Sequence, residues 1–210
     1  EGHVPLVRVP ENRRFSRLQI MIAARRTRAL LDPIISMPRS ARIIHPGAPH
    51  HVTQRGNRRQ QVFFNEDDYA HYLALLSESC RVESVQCWAY CLMPNHVHLV
   101  MVPEDELSLS RAVGRTHRLY TQYSNRGADS AGLLWQGRFK SSPMDEPRLF
   151  AACRYIELNP VRAGLVPCAE NWRWSSVHAH LAGKDDALVR VGPMQDRIAD
   201  WDEYLHAVDP

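Results

Sequence analysis

The clearest chemical signal in this sequence is a pair of histidines one residue apart, His96 and His98. They lie in Leu92-Met93-Pro94-Asn95-His96-Val97-His98-Leu99-Val100-Met101, which reads as a strand entered through a Pro-Asn turn. Side chains alternate across a strand, so both imidazoles share one face while Val97, Leu99 and Met101 share the other. Imidazoles at i and i+2 are close enough to hold one divalent metal ion, and the apolar face anchors the strand. The competing reading is two half-exposed histidines on an edge strand. Cysteine does not help to choose between them: in a strand Cys87 and Cys91 would stand about 13 Å apart at ~3.3 Å per residue, too far to share an ion. No cysteine is placed to complete a tetrahedral zinc site, and imidazole nitrogens favour Mn²⁺ and later transition metals over Mg²⁺.

Three tyrosines are candidates for work beside that pair. Tyr120 and Tyr123 fall among the apolar positions of a helix expected over Ser108 to Asn125. Tyr155 sits on a later helix, Pro147 to about Asn159, beside its buried stripe of Leu149, Ala152, Cys153 and Ile156. Tyr155 and Asn159 are four apart and share a face, whereas Glu157 points elsewhere. Pro160 disfavours helical geometry at Asn159 and should end the helix there. Asn159 is then either a helix cap or an outward-reaching oxygen donor.

The elements that must position these groups follow in order. His50-His51-Val52-Thr53-Gln54 can form a first strand, and Arg55-Gly56-Asn57-Arg58-Arg59 a turn with three arginines. Asn65 followed by Glu66, Asp67 and Asp68 is a helix start, with acids suited to the dipole; Tyr69, Tyr72, Leu73 and Leu76 continue at helical spacing. Val85 to Leu92 alternates as a second strand, with Trp88, Tyr90 and Leu92 on one face and Cys87, Ala89 and Cys91 on the other. Met93-Pro94-Asn95 joins it to the histidine strand as a hairpin. Arg111, Arg115 and Arg118 line one face of the next helix, either solvated or against nucleic acid. Gly127 to Gly132 reads as a loop, and Leu133 to Ser142 as a fourth strand on which Arg138 and Lys140 alternate beside Trp135. Strand, helix, hairpin, helix, strand is the ferredoxin-like (RRM-like) α+β pattern, an antiparallel sheet with its helices on one face.

The 210 residues divide unevenly in charge. Residues 1–42 hold nine arginines against three acids, 43–170 balance at thirteen each, and 171–210 carry four basic and seven acidic residues, so a nucleic-acid reading must rest on local clusters. Met37-Pro38-Arg39 reads as a natural start, which makes residues 1–36 a basic N-terminal extension, disordered or touching phosphates. Residues 37–170 form the main domain and 171–210 a helical C-terminal extension, with a short helix ending at Gly183 and a last helix near Met194 to Ala207. Five cysteines without small-scaffold spacing suit reduced thiols and a cytoplasmic protein. No apolar run reaches the ~20 residues of a membrane span, and no signal-peptide or lipidation pattern is found.

Four blocks in order, Val52 to Arg58, Tyr90 to Leu99, Leu134 to Ser141, and Tyr155-Ile156-Glu157-Leu158-Asn159-Pro160-Val161-Arg162-Ala163-Gly164, resemble the REP-associated tyrosine transposases, part of the IS200-like, single-tyrosine HUH endonucleases. The resemblance covers roughly Pro38 to Trp174. It implies an enzyme that cleaves and rejoins single-stranded DNA at REP hairpins through a covalent 5′-phosphotyrosine, and hence a role in DNA transposition and recombination. Tyr155 is the implied nucleophile and His96 and His98 the implied ligands of Mg²⁺ or Mn²⁺. Asn159 stands where related insertion-sequence transposases hold a Gln ligand. For DNA binding the candidates are Arg55, Asn57, Arg58, Arg59, Trp135, Arg138 and Lys140, in which charge would meet phosphates and the ring would stack on bases; the alternative for Trp135 is a core position. A monomer or homodimer is expected. The rival functions are a non-catalytic single-stranded nucleic-acid-binding module and a metal-dependent hydrolase that uses water.

Overall fold

The computed structural model describes residues 42–128 and 132–207, so the expected N-terminal extension lies outside the described residues. Four strands, β1 (His50–Arg55), β2 (Val85–Met93), β3 (His96–Pro103) and β4 (Lys140–Pro143), form one sheet in the order β2-β3-β1-β4. Every neighbouring pair is antiparallel. Helix α1 (Glu66–Val82) joins β1 to β2, and α2 (Ser108–Ala128) joins β3 to β4. This is the ferredoxin-like arrangement expected. Asn65 starts α1 by accepting from the Asp68 amide at 3.0 Å, while Asp68 accepts from the Phe64 amide at 2.7 Å, a reciprocal cap that satisfies two orphan donors.

Register assigns the two faces. Val52 lies opposite Leu99, and on their side Val97, Met101, Tyr90 and Leu92 pack against Tyr72 and Leu76 of α1 and Leu109, Val113 and Tyr120 of α2. The other side carries His98 opposite Thr53, His96 opposite Arg55, and, across β2, Cys91 and Met93 opposite the same two histidines. There Ala89, Cys91, Met93 and Val100 are covered by a third helix, α3 (Glu146–Glu157), through Leu149, Cys153 and Ile156. Asp145 caps α3 by accepting from the Arg148 amide at 3.1 Å. The helix that bears Tyr155 therefore closes the histidine face, and the two helices of the main core lie on the opposite one.

Several sequence expectations need correction. The fourth strand covers only Lys140–Pro143, because Gly137 at φ +64° breaks the extended path. Upstream of it the chain leans on the end of β1 through a Gly56–Trp135 bridge and a 2.8 Å bond from the Gln136 amide to the Arg55 carbonyl. Strand β2 carries a bulge between Cys87 and Ala89, which puts Cys87 on the face of Tyr90 and Leu92 rather than with Ala89 and Cys91. Helix α3 ends at Glu157, and Pro160 sits in the first turn of a further helix, α4 (Asn159–Arg162), where its missing amide proton costs nothing. Helix α2 extends to Ala128, so the loop expected from Gly127 begins later, partly outside the described residues.

The C-terminal segment runs along the outer edge of β2. The Leu92 amide donates to the Trp174 carbonyl at 2.8 Å, Tyr90 and Ser176 exchange bonds, and the Arg190 amide donates to the Cys87 carbonyl at 2.8 Å. Helix α5 (Val177–Ala182) ends at Gly183 as expected. In place of one last helix there are two, α6 (Gly192–Gln195) and α7 (Trp201–His206), because Asp200 caps a new start by accepting from the Glu203 amide. All five cysteines are unpaired, and no helix among the described residues is long and apolar enough to cross a membrane.

Candidate active site

His96 and His98 emerge from β3 with ring centroids 4.9 Å apart. Each has a partner at Nδ1. His96 Nδ1 lies 2.6 Å from Asn95 Oδ1, and His98 Nδ1 lies 3.0 Å from His51 Nε2. The Asn95 amide is itself oriented, since its Nδ2 donates to the Arg59 carbonyl at 3.2 Å. Its Oδ1 can only accept, so His96 is protonated at Nδ1 and keeps a lone pair at Nε2. Burial, and then the charge of Arg55, push the His96 pKa down to about 4. Burial followed by His96, His51 and Arg55 push His98 to about 3. Both rings are thus neutral at pH 7, the form a metal ligand requires.

Beside the histidines opens a cavity of about 360 Å³ lined by Thr53, Gln54, Arg55, His96, His98, Gln136, Arg138 and Lys140. Its lining has three cations and no carboxylate, a setting for a phosphodiester. Lys140 faces it because β4 pairs Lys140 with Thr53, which in turn lies opposite His98. A second cavity, of about 450 Å³, is lined by His51, Ala151, Ala152, Arg154, Tyr155 and Arg162. A larger cavity of about 650 Å³ around Val85 and Pro103, at the far end of the sheet, has neither histidine nor tyrosine in its lining.

Tyr155 is 39% exposed, and its ring meets that of His98 edge-on, 5.5 Å between centroids. The Arg162 guanidinium of α4 lies 5.3 Å from the tyrosine ring. Tyr120 and Tyr123 are held on the other side of the sheet. Tyr120 is buried and donates its hydroxyl to the Val62 carbonyl at 2.6 Å, and Tyr123 stacks on His71.

The remaining expected residues divide. Arg55, Arg138 and Lys140 line the histidine cavity. Asn57, Arg58 and Arg59 form a tight turn just past β1, and Arg58 and Arg59 take left-handed backbone angles, φ 52° and 64°. Trp135 is corrected from a stacking platform to a core residue: it is buried and packs on His117, with ring centroids 4.5 Å apart, and on Tyr120. Asn159 is buried at the start of α4 and lines neither cavity, whereas both histidines line the first. Glu157 faces away from Tyr155 and is fully buried. Its carboxylate accepts from Ser176 Oγ at 2.6 Å and Trp201 Nε1 at 2.8 Å and lies 2.6 Å from His180 Nδ1.

Among the residues not foreseen are His51, Thr53, Gln54, Gln136 and Arg162. Alternation along β1 could have placed His51 and Thr53 on one face, but the register that brings them to His98 is a tertiary fact. Elsewhere Glu170, Asp202 and His206 bring three ligand atoms within 4.8 Å of one another. That group is largely exposed and lines none of these cavities.

Residues 47–159, more than half of the chain, match the family described as "Transposase IS200 like". A REP-associated tyrosine transposase of Haemophilus influenzae is 26% identical over 123 residues, 53% of this chain and 70% of that protein. A solved structure of a REP-associated tyrosine transposase bound to a REP hairpin aligns with a TM-score of 0.56 at 21% identity, covering 74% of this chain and 93% of the other.

Proposed function

Because this chain belongs to the IS200-like transposase family, enzymes of DNA cleavage and transfer, we propose that it cuts and rejoins single-stranded DNA beside a hairpin through a covalent bond to Tyr155. The observation that carries this reading is the approach of the Tyr155 ring to within 5.5 Å of His98 from a separate helix. A module that only bound DNA would need neither the exposed phenol nor the neutral imidazole pair.

Arg55, Arg138 and Lys140 receive the phosphodiester by charge, and Thr53 and Gln136 add hydrogen-bonding groups to the same cavity. His96 and His98 would hold a divalent ion, Mg²⁺ or Mn²⁺, through their Nε2 lone pairs, and its chemistry there is to draw charge from the non-bridging phosphate oxygens. The Tyr155 phenolic oxygen bonds to phosphorus as the bond from phosphorus to the 3′ oxygen breaks. The phenolic proton passes to solvent, and the departing 3′ oxygen takes one up. The 5′-phosphate stays on Tyr155 and the 3′-hydroxyl is free. Attack of a 3′-hydroxyl on the phosphotyrosine reverses the exchange, so bond energy is conserved and rejoining needs no nucleotide.

Single-stranded DNA flanking a REP-type hairpin is the substrate that the solved relative supports, since that protein was captured on such a hairpin. The open, basic sheet face suits a flexible strand better than a stiff duplex. The test is incubation with an end-labelled hairpin carrying a single-stranded flank, with Mn²⁺, followed by a denaturing gel. A protein-linked band that is absent in Tyr155→Phe is expected. Cleavage without a protein-linked product would assign the chemistry to water instead.

A further inference from the structure

The two histidines of the proposed metal pair are held differently, and the difference assigns a role to a residue outside the motif. His96 gives its Nδ1 proton to an amide oxygen that can only accept. His98 has as its partner another imidazole, His51, which can accept or donate. Between two neutral rings only one of the facing nitrogens bears a proton, and two arrangements follow. If His51 donates, His98 is protonated at Nε2, and that nitrogen has no lone pair for a ligand bond. If His51 accepts, His98 is protonated at Nδ1 and its Nε2 is free.

The backbone fixes this partnership. Thr53 stands directly opposite His98 and His51 opposite Val100, so His51 reaches His98 on the diagonal of the same face. The rings stack with centroids 5.2 Å apart and planes 22° from parallel, which brings His51 Nε2 to His98 Nδ1. On its other side His51 lines the cavity of Tyr155 and Arg162. It thus borders the tyrosine cavity and also bonds a histidine of the pair.

We propose that His51 is a positioning residue: it accepts the Nδ1 proton of His98 and so holds the His98 Nε2 lone pair toward the metal position. The inference rests on the reading of His96 and His98 as ligands, and its test separates the two claims. Outer partners of ligating histidines set ring orientation and basicity, and their loss weakens metal binding by roughly 10- to 100-fold.

The experiment is Mn²⁺ titration of the full chain by calorimetry, with circular dichroism to establish folding, on wild type, His98→Ala, His51→Leu, His51→Phe and His51→Gln. The metal-free protein is also labelled with ¹⁵N to read the His98 tautomer by NMR. Expected are loss of binding in His98→Ala and roughly 10- to 100-fold weaker binding in the Leu and Phe variants. Recovery to within a few-fold of wild type is expected in Gln, whose carbonyl oxygen also accepts. The His98 ring should be protonated at Nδ1 in wild type and in Gln, and at Nε2 in Leu and Phe. The Phe variant keeps an aromatic ring in place if Leu does not fold. Binding unchanged in His98→Ala would overturn the metal reading itself. Binding lost in His98→Ala but unchanged in His51→Leu and His51→Phe, or as weak in His51→Gln as in Leu, would overturn the role of His51 alone.

Discussion

The rings of Tyr155 and His98 meet at 84°, edge to face, although one rides on α3 and the other on β3. Both belong to one chain, so on the proposed mechanism Tyr155 and His98 of the same subunit would act together. Tyr155→Phe is expected to bind hairpin DNA normally and to form no covalent adduct, whereas Tyr120→Phe and Tyr123→Phe still form it. Mixing Tyr155→Phe with His98→Ala should restore nothing. Adduct formation by the mixture, seen on a denaturing gel, would show that subunits exchange these groups.

Removal of either ligand tests the histidine face. His96→Ala and His98→Ala, and chelation of the wild type by EDTA, are expected to slow cleavage by roughly a hundredfold or more, in line with several kcal/mol of charge stabilisation. Both rings lie on the side away from the α1–α2 core, so hairpin affinity in a gel-shift assay should change little. Cutting at full rate in EDTA would contradict the assignment.

The Glu157 carboxylate ties α3 to the C-terminal segment through Ser176, His180 and Trp201. Replacement by Ala leaves the buried Trp201 Nε1 and His180 Nδ1 without this acceptor, while Ser176 Oγ keeps the Tyr90 carbonyl, so Glu157→Ala should lose ~3 kcal/mol or more of unfolding free energy. The readout is the urea midpoint. A variant within 0.5 kcal/mol of wild type, the ordinary scatter of surface substitutions, would mean that the network contributes little.

Stability should also fall in acid because of His117. Burial pushes its pKa down to about 3, and its ring nitrogen lies 3.0 Å from the Tyr72 hydroxyl. The unfolded chain, with a histidine near 6.5, binds a proton that the folded one refuses. The contribution is therefore fully present above pH 6.5 and is lost as pH falls toward 3. Between pH 7 and 4.5 the loss attributable to this ring is about 2 to 3 kcal/mol. Urea midpoints across that range should fall less steeply in His117→Gln, with the slope contributed by His96 and His98 left in place; an equal slope in both proteins would place the acid sensitivity elsewhere.

The arginine turn depends on Gly56. A methyl group there would stand 2.2 Å from the Gln60 carbonyl oxygen and 2.8 Å from Val62 Cγ1, and backbone cannot step aside as a flexible side chain can. Gly56→Ala should therefore displace Arg58 and Arg59 and weaken hairpin binding severalfold in a gel-shift assay. Unchanged DNA affinity would remove this turn from the interface.

What the sequence made legible, and what it did not, follows from the range of the interactions. The face shared by His96 and His98, the Asn65 cap and the position of Tyr155 beside the buried stripe of its helix all rest on short-range patterns. For Trp135 the alternation around it leaves both a stacking and a core position open, and only Gly137 at φ +64°, which ends the extended path, goes with the indole lying in the core. The bulge at Cys87 is hidden for a related reason: either phase of the pattern buries acceptable side chains. His51 and Glu157 take their roles from partners 47 residues and 19 to 44 residues away, which no local pattern encodes.

From the arginine turn, the Arg59 carbonyl accepts from Asn95, and the Asn95 oxygen receives His96 Nδ1. Arg58 and Arg59 hold left-handed backbone angles that residues with a Cβ adopt reluctantly. If a bound strand lets that turn relax, the Asn95 amide moves with it and the orientation of His96 follows. Two hydrogen bonds thus latch the backbone of the arginine turn to a ring that lines the basic cavity.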